Sequence, residues 1–241
     1  MISNCIRIGY DKDLLDRNIK YPLGWYPDKQ PHILIAGATG SGKTYLSKLL
    51  LAKIAMYMIS DGVELYLLDY KNDKDFHFLF PNKRFYSWKG CTIGLQDTYK
   101  RLEARMSGEE TKRNPIILFI DEYASMINGI RDKKEQEMCK NMISDILMMG
   151  RSFNFHLIIA QQRADAKYFD TARDNFSLRI GLGTLSPESA RMLFPDHVEQ
   201  VLQPQCRGEG FITDSIELHK FVVPRITDMF TLEQAIDAIV K

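Results

Sequence analysis

The sequence predicts an α/β fold with a mostly parallel central sheet and helices on both faces. Three observations lead there. Short apolar runs at Ile33 to Ala36, Val63 to Leu68, Ile116 to Ile120, His156 to Ala160 and Leu178 to Leu182 have the length and bulk of buried strands. Helical patterns separate most of them, and strand and helix in alternation build a parallel sheet. A glycine-rich turn, "GATGSGKT" from Gly37 to Thr44, joins the first of these strands to a helix.

That first strand and helix define the turn. Gly37, Gly42, Lys43 and Thr44 satisfy G-x-x-x-x-G-K-[ST], and Leu46, Leu49, Leu50, Ile54 and Met58 recur after it at helical spacing. Across Gly37, Ala38, Thr39, Gly40, Ser41 and Gly42 the glycines let successive backbone N–H groups turn inward. The helix N-terminus adds partial positive charge, Lys43 reaches the outer phosphates and Thr44 is positioned to ligate magnesium. The stretch reads as a phosphate cradle for ATP with Mg2+.

The strand from Ile116 belongs to "PIILFIDEYASM", which ends in Asp121 and Glu122. In an α/β sheet ligands sit beyond the carboxyl ends of the strands, so Asp121 is expected near the phosphates, as a second magnesium ligand through water. Glu122 is the expected general base. A carboxylate directly after the Walker B aspartate can aim a water at the γ-phosphate, whereas a small-molecule kinase must exclude that water. Hydrolysis is therefore favoured over phosphoryl transfer to a metabolite.

The polar stretch Met106 to Pro115 reads as an exposed loop before this strand. After it, Lys133 to Met149 reads as a helix whose stripe of Met138, Met142, Ile146 and Met149 faces the core. The strand "HLIIAQQR" then ends in Gln161 and Gln162, and in such sheets it lies beside the phosphate-loop strand. One of these two amides is placed to touch both the γ-phosphate and the attacking water. Beyond Leu182 a helix at Ser186 to Leu193, short β runs near Phe211 and Phe221 to Val223, and an amphipathic helix at Leu232 to Val240 complete the chain. One domain accounts for it all: residues 1–30 as an N-terminal extension packing on the motor, and 31–241 as the motor itself.

Composition excludes more than it selects. With 241 residues and 45% hydrophobic content the chain can bury a real core. Net charge is +1 from 32 basic and 31 acidic residues, so any polyanion site must be a local patch. Cys5, Cys91, Cys139 and Cys206 form no C-x-x-C pair, which argues against a zinc site or disulfide framework and for a reducing cytoplasm. No apolar run approaches the roughly 18 residues of a membrane span, and no signal-peptide pattern opens the chain. The expectation is a cytoplasmic protein without a transmembrane segment, or one held at a membrane by a partner.

The set of motifs resembles the FtsK/SpoIIIE motor domain of the FtsK-HerA family of pumping ATPases. The resemblance runs from about Gly24 to Val223 and rests on five segments in order: "HILIAGATGSGKT", "LYLLDYKND", "ILFIDEYASM", "MGRSFNFHLIIAQQR" and "RGEGFI". An L-S-G-G-Q-like signature, a second motor lobe and a compact helical lid, which would mark other ATPase classes, are missing from the sequence. The family alignment sets Gln162 and Arg163 on its Gln-Arg pair and Gln161 where Thr usually stands.

Several expectations follow from the resemblance alone. It implies a RecA-like P-loop NTPase fold and a homo-hexameric ring, with double-stranded DNA in the channel and ATP between subunits. An arginine would then be supplied in trans: Arg151 matches the family position, with Arg163, Arg179 and Arg191 as weaker candidates. Asp69 and Lys71 belong either to the rim of the nucleotide site or to a channel loop, and lysines such as Lys71, Lys74 and Lys83 are candidate DNA-phosphate contacts. Because the sequence ends soon after the motor, a DNA pump of a plasmid, conjugative element, phage or virus, brought to its work by a recruiting partner, is expected. The alternatives are a protein-secretion motor of the type VII kind and a nucleotide-gated binding module with little turnover.

Overall fold

The chain, in a computed structural model that describes residues 5–241, builds one ten-stranded sheet among those residues. Its N-terminal part forms β1 (Ile6–Asp11), a short α1 (Lys12–Leu15) and β2 (Pro22–Trp25). β3 (Ile33–Gly37) and α2 (Lys43–Met58) flank the glycine-rich turn, followed by β4 (Glu64–Asp69), β5 (Phe85–Ser87) and α3 (Gly90–Ser107). Next come β6 (Ile116–Asp121), α4 (Tyr123–Gly129), α5 (Lys133–Met149), β7 (Phe155–Gln161) and β8 (Leu178–Leu182). The C-terminal part holds α6 (Pro187–Leu193), α7 (Val198–Val201), β9 (Glu209–Thr213), β10 (Leu218–Val222) and α8 (Met229–Val240).

The strands lie in the order β2-β1-β10-β9-β8-β3-β7-β6-β4-β5. Six of them, β8 through β5 in that order, are parallel, and β9, β10, β1 and β2 extend the sheet antiparallel. The fold is α/β with a mostly parallel sheet, as expected. Every residue of β3, β6 and β7 is buried, the pattern of parallel strands covered on both faces. Leu46, Leu50 and Ile54 of α2 and Ile236 of α8 join one core with Ile35, Leu67, Phe119 and Ala160. Leu95 and Leu102 of α3 and Ile143 and Ile146 of α5 join the core on the opposite face with Leu34, Leu68, Leu118 and Ile159.

Helix α5 corrects one expectation. Met138 and Met149 are 39% and 40% exposed, and the buried face is Cys139, Ile143, Ile146 and Leu147. The stripe is centred about one residue further along, because small, buried Cys139 fills the position facing the sheet that the sequence pattern gave to Met138. Met142 packs at its edge.

Among the described residues β1, α1, β2, β5, α3, α4 and α7 are not evident in the sequence pattern. β1 joins β10 and β2 through Tyr10↔Val222 and Ile6↔Trp25, so residues 6–25 complete the sheet edge; residues 1–4 of the expected extension lie outside the described residues. At the other end of the parallel strands His32 and His156 are buried, and the His156 ring meets Trp25 edge-on. The Leu157 N–H donates to His32 Nδ1 at 3.0 Å, and His156 bridges Pro31 O and Asn154 Oδ1. Burial is the main cause holding both imidazoles neutral, with pKa values lowered to about 3 for His32 and about 4 for His156.

Candidate nucleotide site

Because β3, β7, β6 and β4 run parallel, their carboxyl ends share one edge, and the glycine-rich turn crosses that edge between β3 and α2. Gly40 and Gly42 adopt φ of +83° and +100°, the left-handed region where a side chain is strained. A Cβ on Gly37 would stand 2.5 Å from Ser41 Oγ and 2.8 Å from Leu182 O. Ala38, Thr39 and Gly40 are exposed, and Ser41 turns inward with a buried Oγ that has no protein partner. Thr44 lies in the first turn of α2, half-buried.

Two later glycines press on this turn. The Gly208 N–H donates to Ser41 O at 2.8 Å, and Gly183 N–H donates to Glu209 O at 2.8 Å, bringing the "RGEGFI" turn and the end of β8 against the loop. The sequence marked that turn only by its Gly-x-Gly spacing. Its contact with the phosphate loop is a tertiary result.

Lys43 Nζ donates to Asp121 Oδ1 at 3.1 Å and to Glu122 Oε1 at 2.9 Å, all three side chains being buried. Burial opposes the charge on Lys43, but the two carboxylates outweigh it and raise its pKa above the usual lysine value. Glu122 reaches this position through an unusual backbone. Its φ is +61°, its N–H donates to Ala160 O at 2.7 Å, and it turns the chain from β6 into α4 within a single residue. A non-glycine residue in the left-handed region costs about 1–3 kcal/mol, a cost typical of functional sites.

The glutamines diverge. Gln161 ends β7, pairs with Ala36 of β3 and is fully buried, with neither amide atom partnered by protein. Gln162 is exposed, and its backbone N–H reaches Glu122 Oε2 at 3.4 Å. Arg151 is not brought to this cluster. It is exposed in the turn before β7, a full strand from the edge that carries Asp121, roughly 20 Å for seven residues. Arg163 and Arg191 are exposed, while Arg179 is half-buried in β8 and donates to Ser215 Oγ.

One acidic group stands out more in the structure than in the sequence. Asp69 ends β4 in register with Asp121, is fully inaccessible, and accepts the Asn72 N–H at 3.0 Å. Burial chiefly pushes its carboxyl pKa up to about 6, despite the Asn72 hydrogen bond, and the charge of Asp121 adds to the rise.

The residues present fit a nucleotide and magnesium. The cradle at Gly37 is one that a Cβ would fill, the lysine lies at the start of the helix, and an orphaned buried hydroxyl and carboxyl oxygen line the edge. Among the described residues no group of three or more His, Cys, Asp or Glu converges on one metal position. A magnesium ion at Thr44 and Asp121 would thus complete its shell with phosphate and water oxygens, the usual arrangement for this cation.

Residues 11–81 match the model of the FtsK/SpoIIIE family. The Ftsk domain-containing protein YdcQ of Bacillus subtilis (strain 168) is 30% identical over 229 residues, 87% of this chain and 47% of that protein. This chain carries a motor domain of the FtsK/SpoIIIE type. The motor also aligns at 26% identity over 209 residues with the DNA translocase FtsK of Borreliella burgdorferi, covering 76% of this chain and 25% of that protein. In fold it is similar to the cytoplasmic domain of the type VII secretion ATPase EccC of Thermomonospora curvata. The TM-score is 0.72 at 20% identity, over 97% of this chain and 30% of that one. The FtsK/SpoIIIE-type motor described here therefore spans about half the length of one curated relative and a quarter of another. Among its described residues no helix is long and apolar enough to cross a membrane.

Proposed function

We propose that this chain is an ATP-hydrolysing ring motor that translocates double-stranded DNA. The observation that carries the reading is the buried contact of Lys43 with Asp121 and Glu122 at the carboxyl edge of the sheet, directly beside the phosphate loop. Gly37 to Gly42 supply inward N–H groups for the phosphates, and Lys43 exchanges its carboxylate partners for the β and γ oxygens. Thr44 and Asp121 hold magnesium, which supplies charge neutralisation on the transferred phosphoryl group. Glu122, released from Lys43, takes the proton of the attacking water. Gln162, whose backbone already meets Glu122, orients that water and senses the γ-phosphate.

Arg151 acts in this scheme only from a neighbouring subunit, which requires a ring, and a homo-hexamer is the state proposed. DNA is preferred as the moved substrate because relatives similar in sequence include a DNA translocase. A cytoplasmic motor brought to a plasmid, conjugative, phage or viral DNA by a recruiting partner, at a membrane in some settings, is the corresponding setting. A protein-moving motor is the second reading, supported by the fold likeness to EccC.

Steady-state ATP hydrolysis with and without duplex DNA tests this. Stimulation that falls as salt rises, through loss of counterion release, is the expected result. Turnover indifferent to DNA but raised by a secreted polypeptide would favour the second reading. Tight nucleotide binding with negligible turnover under all conditions would make the chain a nucleotide-gated binding module instead.

A further inference from the structure

Asp69 and Asp121 occupy matched positions on neighbouring parallel strands, paired in register at the carboxyl edge. Alternation sends both side chains to the face covered by α2, because Leu65 and Leu67 of β4 and Ile117 and Phe119 of β6 pack in the core on that side. Asp69 is fully inaccessible, and its two oxygens differ. Oδ1 accepts the Asn72 N–H and so holds the turn after β4, while Oδ2 has no protein partner. The adjacent cation Lys71 is engaged by Asp73. The turn therefore accounts for one oxygen and leaves the other, buried beside the Walker B aspartate, without a bond that a carboxylate in such a place requires.

We infer that Asp69 is a positioning residue for magnesium, its Oδ2 accepting a hydrogen bond from a water molecule of the metal's shell. Magnesium gives up its waters reluctantly and is commonly held by few direct protein ligands. Groups that fix those waters govern affinity almost as strongly as the ligands do. Asp69 works through water because, among the described residues, no group of three or more His, Cys, Asp or Glu side chains could hold the ion directly. This inference rests on the nucleotide-site reading above.

The test is the magnesium concentration that gives half-maximal tightening of a fluorescent methylanthraniloyl-ATP, measured on the full chain by titration with MgCl2. Asp69→Asn keeps the acceptor for Asn72 and removes the carboxylate. It should raise that midpoint about 10-fold or more, the usual scale for a group behind a metal ligand, while nucleotide affinity in EDTA and the melting temperature stay near wild type. Asp69→Glu should restore most of the affinity. A lowered melting temperature with an unmoved midpoint would mean that Asp69 only holds its turn, and the inference would fall. Should Asp69→Asn not fold, Asp69→Ser is read in its place with the same expectation. Wild-type protein that binds the probe without any magnesium dependence would overturn the site reading and this inference together, whereas a magnesium-dependent wild type matched by Asp69→Asn overturns the inference alone.

Discussion

Lys43 Nζ lies 2.9 Å from Glu122 Oε1 and 3.1 Å from Asp121 Oδ1, joining the first residue of α2 to the end of β6. The three charges are buried together, so changing one alters what the others face.

Lys43→Ala removes the cation and should abolish productive ATP binding, because Lys43 is the cation that the phosphate-loop motif supplies to the β and γ phosphates. Isothermal titration with ATP and Mg2+ checks it; affinity and turnover equal to wild type would discard the phosphate-loop reading.

Glu122→Gln preserves the shape of the side chain and its left-handed backbone but cannot accept a proton. Binding should persist while turnover drops at least ~100-fold, the lower end of a general-base contribution. Near-normal turnover in a phosphate-release assay would move the base elsewhere.

Arg151 lies at the far end of the sheet from Lys43 in its own subunit. Arg151→Ala should therefore keep ATP affinity and lose roughly 1,000-fold or more in turnover, the scale of an arginine supplied in trans. Mixing it with Lys43→Ala subunits should restore part of the hydrolysis, since an interface joining an intact loop to an intact arginine is complete. Mixed assemblies that form yet stay inactive would show that Arg151 does not act across an interface.

The turn that carries Arg151 is tied to α3 by a buried cation. Arg105, with a fully buried side chain, donates to Phe153 O at 2.7 Å, Glu110 Oε1 at 2.8 Å and Asn114 Oδ1 at 3.1 Å. Arg105→Ala leaves Phe153 O and Asn114 Oδ1 without this donor, while Glu110 keeps Arg101, and should lower stability by about 1–3 kcal/mol for each group left unpaired. Urea unfolding at neutral pH measures this; a loss under 1 kcal/mol would show that water replaces the arginine readily.

His32 and His156 set an acid limit. Their folded pKa values, about 3 and about 4, lie below the ordinary value near 6.5 expected on unfolding. The unfolded chain thus binds more protons, so this stability is complete above pH ~6.5 and is lost as pH falls toward the folded values. Between pH 7.5 and 5 the loss should be about 2 kcal/mol per histidine. Urea midpoints across that range check the slope; a pH-independent midpoint would contradict the neutral, buried state of the pair.

What depends on neighbours along the chain was legible before any fold was known. Backbone torsion, strand burial and helix period are local, so "GATGSGKT" announced its turn, and the apolar runs ending in Asp69, Asp121 and Gln161 announced strands that the structure places in one parallel block. Tertiary structure alone decided what depends on residues far apart. It set Asp69 opposite Asp121, laid the Gly208 turn on Ser41, brought β1 onto β10, and turned α5 so that Cys139 rather than Met138 faces the sheet. It also separated Gln161 from its neighbour Gln162, because Gln161 is the last residue of β7, paired with Ala36 inside the sheet, whereas Gln162 lies just past the end of the strand and is exposed. The physical reason is the same in each case: strand register and helix rotation are fixed by the packing of whole faces against one another, and that information is spread over residues as far apart in the chain as Tyr10 and Val222.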